Sequence, residues 1–278
     1  MLQIVIPAYN EELRLPRTLR ALRRHLAERR AVLGPAEVLV VDNGSTDATA
    51  AVARAFDSPG FPVRVVDCAV RGKGAAVRAG VLATDADLVV FMDADGATGL
   101  DALDEAWRRI ALGADVVVGS RGLATSVTAA RHCRTRTAGA ACYRSIARRL
   151  LPGLVDTQCG FKAFRGALAR RVVTDLRARG FSFDVELLVR LRAADARIEE
   201  IPVTWTDVPG STFVPARHGA GAFAELAAIA WRTRRLGTPV PGGAAVAAGS
   251  RSPMPLPAPV ALPVALAATG AASLVSER

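Results

Sequence analysis

Apolar residues in the first part of the chain come in short runs at residues 2–6, 38–41, 63–66, 88–92 and 116–118, interrupted only by Gln3 and Arg64. Runs of this length, with no alternation of polar and apolar positions, read as parallel strands buried on both faces. Between them the hydrophobic spacing changes to three and four. Leu15, Leu19, Leu22 and Leu26 recur along a helix predicted over 16–30; a second helix over 48–56 follows the cap-like Ser45-Thr46-Asp47, and an Ala/Val-rich third spans 74–84. Strand alternating with helix predicts an α/β fold around a doubly wound sheet, with residues 1–122 as a nucleotide-binding half.

Further on, 129–151 is a basic, Ala-rich helical candidate, 183–191 is helix-like, and 198–205 reads as a strand closed by the turn Pro209-Gly210-Ser211. One domain over 1–236 is expected, with 123–236 as its second half. From 237 to 278 the composition shifts to Pro, Gly, Ala and Val, which predicts a disordered tail.

With 278 residues and 51% hydrophobic content the chain can bury a full core. Its net charge of +10 calls for an anionic partner: a nucleotide, a lipid phosphate or a membrane surface. Nucleic acid is not expected, because aromatics are only 5% and neither zinc-finger spacing nor aromatic–basic interleaving is present. The cysteines at 68, 133, 142 and 159 form no Cys-x-x-Cys pair and read as reduced thiols of a cytoplasmic protein. The start of the chain lacks the pattern of a signal peptide. No apolar stretch is long enough to cross a bilayer; the nearest, 256–275, is broken by Pro257, Pro259 and Pro263. Any membrane contact is therefore expected to be peripheral, at the inner face.

The run at 88–92 ends in Asp93-Ala94-Asp95. Side chains alternate along a strand, so Asp93 and Asp95 point the same way and can share one cation. Mg²⁺ or Mn²⁺ takes one or two carboxylates and fills its shell with phosphate oxygens, so a metal–diphosphate is the natural guest. Ligands of such sheets sit beyond the carboxyl ends of the strands, where every unusual segment falls: Pro7-Ala8-Tyr9-Asn10-Glu11-Glu12, Asp42-Asn43-Gly44-Ser45, Arg71-Gly72-Lys73-Gly74, the acidic pair, and Gly119-Ser120-Arg121. Asp42 can accept from a base or ribose. Lys73, between two glycines, can approach a phosphate while backbone N–H groups face it. The glycine patterns of phosphate-loop hydrolases and of dinucleotide-binding dehydrogenases are absent.

The arginines of 129–151, among them Arg131, Arg134 and Arg136, form either a solvated face or a grip on a lipid phosphate at an anionic membrane. Asp184 and Glu186 sit in an apolar helical run, where a carboxylate is either salt-bridged or works as a base.

These segments, with Asp-Thr-Gln-Cys-Gly-Phe-Lys at 156–162, Phe-Asp-Val-Glu-Leu-Leu at 183–188 and Pro-Val-Thr-Trp at 202–205, resemble family 2 glycosyltransferases. Asp-Ala-Asp-Gly-Ala-Thr at 93–98 is similar in wording to the dolichyl-phosphate glucosyltransferases. The resemblance implies a GT-A type fold, a UDP-sugar donor, a divalent metal and a polyprenyl phosphate acceptor. Carried over, Pro7, Ala8, Tyr9, Glu11, Asp42 and Gly44 would hold the nucleoside; Lys73, Asp93, Ala94 and Asp95 would face the donor phosphates, with Asp93 and Asp95 at the metal. Arg121, Arg131, Arg134, Arg136, Gln158 and Lys162 would meet the acceptor, and Asp95, Arg121 and Asp184 would carry the chemistry. Asn43 departs from the family, where a second Asp often follows Asp42. The transfer expected is of glucose to a polyprenyl phosphate with inversion; alternatives are a soluble hydroxyl acceptor or GDP-mannose donor on the same fold, or a module that binds UDP-sugar or anionic lipid without turnover.

Overall fold

The computed structural model describes residues 1–129, 134–208, 215–234 and 236, the side chains of 134–140 and 215–220 excepted. The expected turn at 209–211, Arg131 and the tail at 237–278 lie outside the described residues.

In chain order the elements are β1 (Leu2–Ala8), α1 (Leu15–Glu28), α2 (Arg30–Leu33), β2 (Ala36–Asp42), α3 (Thr49–Arg54), β3 (Val63–Asp67), α4 (Lys73–Leu82), β4 (Leu88–Met92), α5 (Asp101–Ala111), β5 (Val116–Ser120), β6 (Val127–Ala129), α6 (Arg134–Leu150), β7 (Phe161–Arg165), α7 (Gly166–Thr174), α8 (Phe183–Ala193), β8 (Ile198–Pro202), β9 (Thr204–Thr206) and α9 (Pro215–Thr233). All five expected strands are present. They belong to a seven-stranded sheet ordered β3-β2-β1-β4-β7-β5-β8. It is parallel throughout except for β7, which runs antiparallel to both β4 and β5.

The apolar runs, interrupted only by Gln3 and Arg64, have a direct cause: both faces of the sheet are covered. Ile4, Ile6, Val38, Val40 and Val90 face α1, α3 and α5, while Val5, Leu39, Val41, Val89 and Phe91 face α4, α7 and α8. Helix α1 has no acidic residue in its first turn and no side-chain cap, so packing must hold it. Leu15, Leu19 and Leu22 are fully buried, and each such side chain is worth roughly 1.5–3 kcal/mol.

Two expectations on strands are corrected. The single strand over 198–205 divides at Val203, whose carbonyl accepts from the Val127 N–H at 3.2 Å; β9 thereby leaves β8 and joins β6 in a separate two-stranded sheet. The segment 161–165 is a central strand that was not expected, because Lys162 and Arg165 give it a polar look although Lys162 is fully buried. Of the helix expected over 129–151, Arg134–Leu150 is described as helix, while Ala129 ends strand β6.

Gly80 lets α4 lie directly on the sheet: a Cβ there would sit 2.3 Å from Val5 Cγ1 and 2.7 Å from Val41 Cγ2. Gly80→Ala is expected to destabilise the protein by about 1–3 kcal/mol through overpacking, despite alanine's better helix propensity. Thermal unfolding measures this; an unchanged or raised midpoint would contradict it.

Candidate active site

At the carboxyl ends of β1 and β2 the two following loops are sewn together. Asn10, at φ +55°, accepts from the Thr46 N–H at 2.9 Å and donates its own N–H to Ser45 Oγ at 3.0 Å. The Glu11 N–H donates to Thr49 Oγ1, and the Glu12 carboxylate accepts from the Ala48 N–H. Pro7 and Ala8 are β1 residues paired with Val41 and Asp42, and the Ala8 carbonyl takes the Asn43 N–H. Tyr9 is exposed, Gly44 turns at φ +75°, and Asp42 is half-buried with Oδ1 3.3 Å from the Ser45 N–H.

Asn43 is buried and fully engaged. Its Nδ2 donates to the carbonyls of Cys68 and Val70 at 3.2 and 2.7 Å, and its Oδ1 accepts from the Gly72 N–H at 2.7 Å. An aspartate could not make the two donations. Of the backbone N–H groups expected to face a phosphate around Lys73, those of Gly72, Gly74 and Ala75 already have partners. Gly72 donates to Asn43, while Gly74 and Ala75 both donate to the Arg179 carbonyl at 2.8 and 3.3 Å. The loop therefore delivers an ammonium rather than an N–H nest. Gly72 permits this approach, since at φ +123° a Cβ would lie 2.2 Å from the Arg179 carbonyl oxygen.

Lys73 Nζ reaches Asp93 Oδ1 at 2.6 Å. Burial alone would lower its pKa, but Asp93 and Asp184 outweigh that and hold it above the ordinary lysine value. Asp95 stands close by, with its carboxyl pushed up by burial and then by the charge of Asp93. Glu11 is likewise raised by burial, against the pull of Arg14 and with smaller contributions from Asp95 and Asp93. The acidic pair, Lys73 and Glu11 thus share one mouth. Thr18 Oγ1 fixes the intervening turn by donating to the Ala94 carbonyl at 2.7 Å. Asp95 Oδ1 accepts from the Ala97 N–H at 3.0 Å, and no hydrogen bond reaches its other oxygen from the described residues.

Two hard oxygen donors under crowded negative charge fit Mg²⁺ or Mn²⁺. Among the described residues no group of three or more His, Cys, Asp and Glu side chains could hold a metal by itself, so the rest of such a shell falls to ligand and water.

Across the mouth, Arg121 is bidentate on Asp156, Nε at 2.6 Å and Nη2 at 3.0 Å, and its guanidinium lies 5.6 Å over the Trp205 ring. Burial would push the Asp156 carboxyl up, but Arg121 and two backbone N–H groups, including that of Gln158, hold it below the usual range. Glu200 secures the segment by accepting the N–H groups of Val155 and Asp156 at 2.8 and 2.9 Å. Lys162 does not present its charge to this mouth. It is fully buried, and its ammonium donates to Asp184 Oδ1 at 2.5 Å and the Cys159 carbonyl at 2.8 Å. Glu186 is equally buried and held by Arg190 and Arg232. Arg134 and Arg136 open α6, with side chains outside the described residues.

Residues 3–173 match the family model described as Glycosyl transferase family 2. The chain belongs to that family. This family 2 transferase is 31% identical to a dolichyl-phosphate beta-glucosyltransferase of Dictyostelium discoideum, covering 83% of this chain and 74% of the relative. It is 35% identical to that of Homo sapiens, covering 77% and 70%. Among solved structures it resembles glucosyl-3-phosphoglycerate synthase from Mycobacterium tuberculosis in complex with Mn²⁺, UDP and glucosyl-3-phosphoglycerate: 23% identity, TM-score 0.60, 87% of this chain and 82% of that one. The same enzyme was also crystallised with Mg²⁺ and UDP, at TM-score 0.60. The likeness to these structures is one of fold, and it establishes the GT-A type architecture for the transferase.

Several partners in the transferase's site were not assigned from sequence. In Asp-Thr-Gln-Cys-Gly-Phe-Lys at 156–162, Gln158 and Lys162 are the residues expected at the acceptor, but it is Asp156 that grips Arg121. Arg14, bound to both oxygens of Glu11, has a buried Nη1 without a hydrogen-bond partner among the described residues. Its position three residues after Glu11 was the available signal. The chain's only lysines are Lys73 and Lys162, every other Lys/Arg position being arginine, and their ammonium groups lie 5.5 and 5.7 Å from the same Phe91 ring.

Asn43→Asp is expected to set a carboxylate oxygen against two carbonyls and cost roughly 1–3 kcal/mol. Thermal unfolding should record a lower midpoint and hydrogen exchange a faster Gly72 amide; parental values of both would show that the Asn43 brace is dispensable.

Proposed function

We propose that this transferase moves glucose from UDP-glucose to a polyprenyl phosphate of the dolichyl type, with inversion, in a metal-dependent reaction. The observation that carries the choice of acceptor is the state of the two carboxylates on α8. Asp184 is 4% exposed and paired with Lys162, and Glu186 is 0% exposed between two arginines. A hydroxyl acceptor must lose a proton as it attacks and would need one of them as base. A phosphate monoester, with a second pKa of about 6, is largely dianionic at neutral pH and needs none. The names of the relatives at 31–35% identity support the same acceptor and sugar.

In this reading an acceptor phosphate oxygen attacks the anomeric carbon in line as the bond to UDP breaks. Asp42 and Tyr9 hold the nucleoside, Lys73 lies along the diphosphate, and Asp93 and Asp95 hold Mg²⁺ or Mn²⁺. The bound ion would neutralise charge growing on the departing UDP. Arg121, braced by Asp156 and stacked on Trp205, keeps Nη1 for the incoming phosphate; Lys162 and Asp184 support the site from beneath. Attachment to an anionic membrane is peripheral, supported by the net charge of +10; among the described residues no helix is long and apolar enough to cross a membrane.

Purified protein is incubated with labelled UDP-glucose, other UDP-sugars or GDP-mannose, with a short polyprenyl phosphate or 3-phosphoglycerate, with and without Mn²⁺. Label is expected in the organic phase from UDP-glucose with metal, and Asp95→Asn should lower that rate by about a hundredfold or more. Label moving only to the water-soluble acceptor would overturn the lipid assignment.

Arg121→Ala is expected to raise the acceptor KM by about 10- to 100-fold, the loss of a charge-assisted contact, while leaving the donor KM close to parental. Unchanged acceptor KM and turnover would remove Arg121 from this role.

A further inference from the structure

The short segment entering α8 is held in an unusual way. The N–H groups of Arg177 and Ala178 end on Glu186 Oε2 at 3.2 and 2.6 Å, and those of Arg179 and Gly180 end on Glu225 Oε1, both at 3.0 Å. The Ser182 N–H reaches Glu225 Oε2 at 3.2 Å, while Ser182 Oγ donates to the Ala222 carbonyl. Two carboxylates thus collect five backbone donors within six residues. Glu225 comes from α9, beyond the residues 3–173 that match the family.

What this segment does with its other side links it to the mouth. The Arg179 carbonyl accepts the N–H groups of Gly74 and Ala75, the first turn of α4, directly after Lys73. Gly74 packs so closely that a Cβ would lie 2.5 Å from both the Ala178 carbonyl oxygen and Phe183 Cβ. Phe183 in turn meets Phe91 edge-on at 5.7 Å, two residues before Asp93.

We propose that Glu225 is a positioning residue for Lys73: from α9 it fixes the 179–182 turn, whose Arg179 carbonyl sets the start of α4 and hence the Lys73 ammonium against Asp93. The donor role of Lys73 rests on the function proposed above; the geometric effect of Glu225 on Lys73 does not. Hydrogen bonding of this density orients the groups it holds, and loss of such outer partners typically weakens a site rather than abolishing the fold.

Lys73 can be read directly. The only other ε-amine, on Lys162, is fully buried, so acetylation by a water-soluble N-hydroxysuccinimide ester, followed by peptide mass spectrometry, reports Lys73 without nucleotide or metal. Glu225→Ala is expected to speed Lys73 acetylation several-fold and to weaken UDP binding in Mn²⁺, by calorimetry, about tenfold. Glu225→Gln, which keeps one acceptor oxygen, should fall between it and the parent, and it carries the comparison alone if Glu225→Ala does not fold. Ile229→Val, a buried change on the same helix, should leave both readouts at parental values. Parental acetylation and UDP affinity in the Glu225 variants, or equal shifts in Ile229→Val, would overturn the proposal. A parent that binds no UDP would sink the donor reading, while the acetylation rates still decide whether Glu225 positions Lys73.

Discussion

Negative charge crowded at the end of one strand is the constraint from which the rest of this site follows. Burial raises the carboxyls of Asp95 and Glu11, the charge of Asp93 beside them raises both further, and such a cluster survives only with cations at hand. The protein supplies Lys73 to Asp93 and Arg14 to Glu11. The choice of residue is informative in a chain whose basic positions are otherwise arginine. An ammonium is a compact point charge on a thin stem and fits between a carboxylate and the face of Phe91, where a planar guanidinium would demand more room and more acceptors. The second lysine repeats the solution one layer deeper, against Asp184.

The part of the chain beyond β5 follows a different rule, in which buried and half-buried carboxylates serve as struts. Asp156, Glu186, Glu200 and Glu225 each collect several donors, many of them backbone N–H groups from loops that would otherwise lack partners. Buried polar groups are tolerated when satisfied in this way, and they then fix geometry that apolar packing leaves loose. Arg121 shows the result. Held by Asp156 and backed by Trp205, its guanidinium keeps little conformational freedom.

The parallel strands and the helices between them were legible in the sequence because the sheet is buried on both faces, so that short, largely apolar runs and helical leucine spacing each had one reading. The segments at the strand ends were legible for the same reason: in such a sheet they can only meet at one edge. Strand β7 was not, since a buried lysine in its middle erases the hydrophobic signature. The division of 198–205 was hidden as well, because a change of partner sheet leaves no mark on local composition. Asn43, Asp156 and Glu225 work through contacts with residues 25 to 46 positions away, which no local pattern reports.

The antiparallel insertion of β7 also bears on how the molecule comes into being. Strands β4 and β5 follow each other in the chain yet never touch, because 161–165 stands between them. As the polypeptide leaves the ribosome, β1 to β4 can assemble in order, whereas β5 has no docking edge until some forty further residues have emerged. The mouth at the strand ends is therefore completed late in synthesis, and a fragment ending near residue 122 would carry an orphaned strand.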